Sequence, residues 1–123
     1  MKLSNAEEQL MNLIWEKGRA FMKDILASYP EPKPANTTVA TLLKRLQEKG
    51  AIRYELYGNS RAYFPVVEKN DYFSRKVNTM IKRFFNDSPA QFASFFTKET
   101  ELDTKELEDL KKIIEEQIKS QKP

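Results

Sequence analysis

The chain of 123 residues has no cysteine and no histidine. Without thiols there are no disulfides, no thiolate nucleophile and no thiolate zinc centre. Without imidazole there is no histidine base, none of the usual catalytic triads, and none of the commonest transition-metal ligand. No metal site and no cofactor is therefore expected. Glycine is scarce as well: Gly18, Gly50 and Gly58 are the only three, spaced too widely for a phosphate loop or a dinucleotide fingerprint. Long apolar runs are missing, and no window approaches the roughly 20 apolar residues of a membrane span. The opening MKLSNAEEQLMNLIWEK carries acidic residues where a secretion signal would be apolar. These absences lead us to expect a cytoplasmic protein with no membrane insertion. Carboxylate pairs such as Glu7 and Glu8 are helix neighbours that do not face each other across a substrate, so catalysis is not expected.

What is present points to a folded core. Hydrophobic residues make up 40% of the chain, with one Trp, five Tyr and eight Phe, and charged residues make up 32%. That balance argues against disorder and for one domain, or one module with a short second unit.

Ser4 and Glu7 have capping-box spacing, Leu10/Ile14 and Met11/Trp15 recur at i,i+4, and Gly18 suits a helix end. They predict a first helix over 5–17. Met22, Ile25, Leu26 and Tyr29 predict a short second helix that stops near Ser28, ahead of Pro30, Pro32 and Pro34. Asn36, Thr37 and Thr38 offer N-caps to a third helix, which carries Val39, Leu42, Leu43 and Leu46 on one face and ends before Gly50. Alternation in residues 52–57 and 61–66, around a Gly58-Asn59-Ser60 centre supplying positive-φ positions, predicts a β-hairpin. Such a hairpin is marginal alone and must pack on the helices before it.

Beyond Val66 the period becomes purely helical. Phe73, Val77, Met80, Ile81 and Phe84 form one stripe, with Asn70 or Asp71 as its cap. Ser88-Pro89 opens a helix bearing Phe92, Phe95 and Phe96. Asp103 and Glu106 form a second capping-box candidate ahead of Leu107, Leu110, Ile114 and Ile118. The fold expected is mainly α with a small hairpin wing: a winged helix-turn-helix over residues 1–68, followed by a helical domain over 69–123.

Residues 1–66 hold 10 basic and 7 acidic side chains, and residues 67–123 hold 11 of each, so the net charge of +3 belongs to the first part. Lys33, Lys44, Arg45, Lys49, Arg53 and Arg61 crowd into residues 33–61 against only Glu48 and Glu55. In a winged helix the third helix enters the major groove and the wing meets the backbone or minor groove. On that reading Thr37, Thr38 and Thr41 address base edges, and Lys44 and Arg45 address phosphates. Tyr57, Asn59 and Arg61 belong to the wing's contact with double-stranded DNA. The alternative is a protein-interaction module on the same scaffold, without sequence-specific DNA binding. A small-molecule effector is a further possibility, with no pocket legible in the sequence. The acidic last helix and the basic group Lys69, Arg75, Lys76, Lys82 and Arg83 read as solvated flanks.

Three helices in the second part make a thin core. Its apolar residues Phe73, Val77, Ile81, Phe84, Phe92, Phe95, Leu107, Leu110 and Ile114 are therefore expected to meet a second copy, the alternative being packing on the chain's own first part.

Three segments, taken together, resemble the penicillinase-repressor (BlaI/MecI) family. They are residues 6–15 (AEEQLMNLIW), residues 36–46 with Glu48-Lys49-Gly50 (NTTVATLLKRL), and residues 96–99 leading into 106–110. The resemblance implies a homodimeric repressor on an inverted-repeat operator, dimerised through C-terminal helices. It implies release by proteolysis, triggered by a membrane sensor metalloprotease, with Phe95 and Phe96 flanking the cut bond. This chain departs from the family's pattern in having Phe95 where Asn is typical, and Thr37 and Ala40 where Lys and Arg are typical. The family's copper-responsive branch uses cysteines that are absent here.

Overall fold

Ser4 begins the first helix as its spacing predicts: its Oγ accepts the Glu7 amide at 3.2 Å, and Glu7 Oε1 accepts the Ser4 amide at 2.8 Å. Two orphan donors are thus satisfied reciprocally. In the computed structural model, which describes residues 1–123, helix α1 runs Asn5–Lys17. It ends at Gly18, whose φ of 73° lies in a region that a Cβ disfavours. The chain forms two compact units, Met1–Arg75 and Lys76–Pro123.

In the first unit α1 is followed by strand β1 (Ala20–Phe21), helix α2 (Met22–Ser28), helix α3 (Asn36–Glu48) and the hairpin β2 (Ile52–Tyr57) and β3 (Ser60–Pro65). β1 was not expected. It pairs antiparallel with β3, Ala20 opposite Tyr63 and Phe21 opposite Ala62, giving a three-stranded sheet in the order β1-β3-β2. The third strand removes the isolation of the hairpin base. The turn is tighter than its sequence implies. Tyr57 pairs with Ser60, leaving a two-residue loop in which Gly58 alone has positive φ, 63°. A positive first central residue is the two-residue hairpin arrangement that matches strand twist.

The core gathers one face of each helix. Leu10, Met11 and Ile14 from α1, Ile25 from α2, and Val39, Leu43 and Leu46 from α3 close on Ile52 and Tyr63 of the sheet, all buried. A charged pair lies beside it. Glu7, 2% exposed, accepts from Lys49 Nζ at 2.7 Å, and the same ammonium donates to the Lys2 carbonyl at 2.9 Å. Burial alone would raise the Glu7 carboxyl. The hydrogen bonds from Lys49 and Ser4, with the Lys49 charge, outweigh it and hold the group below 4.5.

Two helix starts differ from expectation. α3 is capped by Ala35 through its backbone, with no side-chain bond, so Asn36, Thr37 and Thr38 are already helical. Helix α4 (Lys69–Phe84) begins one or two residues ahead of its predicted caps, Asn70 and Asp71. Its first turns belong to the first unit. Trp15 Nε1 donates to the Val67 carbonyl at 2.9 Å, the Trp15 ring lies 5.9 Å from Tyr72 and 5.8 Å from Phe73, and Tyr72 Oη donates to Glu8 at 2.5 Å. Burial, then the bond to Glu8, push the Tyr72 hydroxyl up to about 12. The first compact unit therefore extends through Arg75, into α4.

In the second unit α4 ends at Phe84, and Asn86 and Asp87 just beyond it both have positive φ. Helix α5 (Pro89–Glu99) follows, with Ser88 capping Gln91 at 3.1 Å. Helix α6 (Thr104–Gln121) opens with the predicted Asp103/Glu106 box. Phe85 is the aromatic hub here, 5.5 Å from Phe92 and 5.2 Å from Phe95. Neither α5 nor α6 buries a single residue.

Candidate nucleic-acid interface

Because Val39, Leu42, Leu43 and Leu46 turn one side of α3 inward, the opposite side is fixed in water. Thr37, Thr41 and Lys44, at i, i+4 and i+7, run along the middle of that exposed side, with Thr38 and Arg45 on one flank and Ala40 on the other. The five predicted α3 residues thus form one continuous surface. Thr41 Oγ1 donates to the Thr37 carbonyl at 3.0 Å, so the hydroxyl presents acceptor lone pairs and a methyl outward. The methyl matches a thymine, the lone pairs an exocyclic amine.

Two of the six clustered cations are withdrawn from that surface. Lys33 Nζ donates to the carbonyls of Leu26 and Ala27 at 3.0 and 3.1 Å, closing the end of α2. Lys49 is held by Glu7. Lys44, Arg45 and Arg53 are exposed.

The wing carries Arg61 on the face it shares with Tyr54, Leu56 and Tyr63. The guanidinium lies 4.2 Å from the centre of the Tyr54 ring. A hydrogen bond to Tyr63 raises its affinity for the proton. It is a permanently charged plate laid on an aromatic surface. Arg61, Asn59, Ser60, Tyr57 and Tyr63 line a groove of about 570 Å³ whose other wall is Phe21, Met22 and Lys23 at the start of α2. Sequence reading singled out neither this groove nor Lys23, because the two walls are joined only by the pairing of β1 with β3. Its lining places two cations, Lys23 and Arg61, beside the Asn59 amide, the Ser60 hydroxyl and aromatic rings, a combination suited to an anion. Tyr57 lines the groove while its hydroxyl accepts from Arg19 at 2.5 Å.

The expected dimerisation residues separate into two groups. Phe73 packs on Trp15 and Tyr72 of the first unit. In the second unit, Val77 is 39%, Phe84 68%, Phe95 49%, Leu107 39% and Ile114 58% exposed, while Ile81, Phe92 and Leu110 are half-buried. Ile113 and Ile118 add to the exposed set. Phe95 and Phe96 lie inside α5. No group of three or more metal-ligating side chains converges anywhere, and no helix is long and apolar enough to cross a membrane.

Comparison with known proteins agrees with this layout. Residues 3–116 match the penicillinase repressor family. The penicillinase repressor of Bacillus licheniformis is 26% identical over 116 residues, covering 94% of this chain and 91% of that protein. The methicillin resistance regulatory protein MecI of Staphylococcus aureus (strain N315) is 26% identical over 114 residues, covering 92% and 93%. The solution structure of the DNA-binding domain of the repressor BlaI superposes with a TM-score of 0.52 at 26% identity, covering 58% of this chain and 88% of that one. The winged helix-turn-helix expected from the order of elements is thereby borne out. The chain belongs to the penicillinase repressor family, a family of transcriptional repressors and not of enzymes.

Proposed function

We propose that this chain is a homodimeric transcriptional repressor that occupies an inverted-repeat operator. The observation that carries this reading is the α3 surface: three threonines, Lys44 and Arg45 on one exposed side of a helix whose other side is locked into the core. α3 lies in the major groove, where Thr37, Thr38 and Thr41 meet base edges. Lys44, Arg45 and the wing residues Arg61 and Asn59 hold the backbone.

Dimerisation through the second unit is supported by its surface. A unit of three helices that leaves Phe84, Ile113 and Ile114 more than half exposed has too little core to be stable alone. A second copy supplies the missing cover. Two linked reading heads share a large effective concentration, so severing the dimer contact empties the operator without touching α3.

Release by proteolysis fits this economy, the cut falling between Phe95 and Phe96 under the control of a membrane sensor metalloprotease. That bond lies in α5, and the Phe96 carbonyl accepts from the Thr100 amide at 3.3 Å. Cleavage then requires the turn to open first, and its rate follows the opening equilibrium.

Anisotropy of the full chain with duplex from upstream of its own gene, at several salt concentrations and against scrambled competitor, tests the reading. With Lys44, Arg45, Arg61 and Lys23 on phosphates in each protomer, the log-log salt slope is about −7. Lys44→Ala weakens binding to all sequences and reduces the slope by about 2, one contact per protomer. Salt-insensitive or competitor-erased binding refutes sequence-specific repression and favours the protein-interaction module.

A further inference from the structure

The outer half of the wing has no third strand beside it. β1 reaches only as far as Phe21 opposite Ala62, so residues 56–61 extend beyond the three-stranded part as a bare hairpin, which is marginal by itself. Yet a charged side chain reaches this segment from the base of the unit. Arg19, between the end of α1 and β1, places Nη1 2.9 Å from Glu55 Oε2 and 2.5 Å from Tyr57 Oη. Its guanidinium carbon sits 5.1 Å from the centre of the Phe64 ring and 6.0 Å from that of Tyr57. Tyr57 is in turn packed edge-on against Phe21 at 5.8 Å. Glu55, Tyr57 and Phe64 all occupy one face of the hairpin, the face opposite Arg61, because alternate residues of paired strands share a side.

From this arrangement we infer that Arg19 is a positioning residue for DNA binding: it braces the wing through Glu55, Tyr57 and Phe64, and Tyr57 serves the operator through Arg19 rather than by touching DNA. The inference rests on the repressor reading. Arg19 is a cation in a DNA-binding unit, so the competing role is a direct phosphate contact. Its surroundings argue otherwise. Glu55 neutralises it, its Nη1 is turned to Glu55 and Tyr57, and its face covers a ring. Both partners of the ion pair are about half exposed, and pairs of that kind add little to global stability. Loss of the brace therefore shows in how well the wing is pre-organised for binding, not in whether the unit folds.

Two variants and two readouts separate the roles. Arg19→Gln removes charge and fork; Arg19→Lys keeps the charge and loses the fork and the plate. As a brace, both weaken operator binding about tenfold, since both wings of a dimer loosen, and both keep the wild-type salt slope. Tyr57→Phe in the Arg19→Gln background adds nothing further. In the free full-length protein, amides of residues 56–61 exchange faster in both Arg19 variants while those of α3 do not. A slope lowered by about 2 in Arg19→Gln, with Arg19→Lys near wild type, makes Arg19 a phosphate contact and overturns the inference. Unchanged wing exchange overturns it whether or not DNA is bound. Failure of the wild type to bind DNA with a salt slope instead refutes the repressor reading, and the exchange measurement still decides the brace.

Discussion

Replacing Lys49 with methionine keeps most of the aliphatic stem and removes the ammonium that Glu7 depends on. In the wild type Glu7 Oε1 receives Lys49 at 2.7 Å and the Ser4 amide at 2.8 Å, while Oε2 is buried without a hydrogen bond. The variant leaves a carboxylate that is 3% exposed with a single charge-free donor. Breaking a fully buried pair costs about 3–5 kcal/mol. Lys49 is 38% exposed, so water already screens part of the attraction, and about 2 kcal/mol is the expected loss. For a unit of this size that lowers Tm by about 8–16 °C. Trp15, the only tryptophan, lies in the same unit, so its fluorescence through a thermal or urea transition reports on the right half of the chain. The pH dependence is the sharper part. The folded Glu7 lies below 4.5, so its contribution is complete above that value and disappears as pH falls through the folded value and the group protonates in both states. The gap between wild type and Lys49→Met should therefore be full at pH 7 and close as pH falls, starting where the variant's carboxyl, freed of the Lys49 bond and charge that lowered it, begins to protonate. A gap under about 0.5 kcal/mol at neutral pH, within the range of ordinary surface substitutions, or one that stays constant into acid, refutes the argument.

Lys23→Ala, on the α2 wall of the groove, should reduce the salt slope of DNA binding by about 2 without changing base preference; an unaltered slope removes Lys23 from the footprint. At the wing tip, Gly58→Ala meets no atom within 4 Å but must hold φ near 63°. It should therefore cost about 1 kcal/mol, purely from the backbone, measured by urea unfolding, and Gly58→Asn should cost less. Ile114→Lys, on the exposed apolar side of α6, should shift sedimentation from dimer to monomer and weaken operator binding by orders of magnitude while Trp15 fluorescence is unchanged. A variant that still sediments as a dimer places the contact elsewhere.

The sequence discloses those parts of the fold whose signals are local. α1, α5 and α6 are announced by caps three residues from their partners, and the face of α3 by four apolar residues at helical spacing. β1 is invisible because two residues carry no period, and its pairing with β3 is a contact over some forty positions. The point where the compact units part is hidden in the sequence for a related reason. One apolar stripe runs from Phe73 to Phe84, but its first members pack on Trp15 and its last do not, and nothing in the spacing marks where the partner changes. The exposed side of α3, with the threonines proposed to face bases, follows from the helix pattern alone. Arg19 and Lys23 do not, since what they face is brought to them by the sheet.

Lys33 and Lys49 count as basic residues in any tally of composition, yet one closes a helix end and the other neutralises a buried carboxylate. The charge offered to a polyanion is thus smaller than the sequence total. On the function proposed above, this restrains attraction to random DNA, which scales with phosphates neutralised, while leaving untouched the hydrogen bonds proposed for the threonines at the operator. Fewer molecules are held on decoy sequence at any moment, and a smaller excess of copies suffices to keep one operator filled.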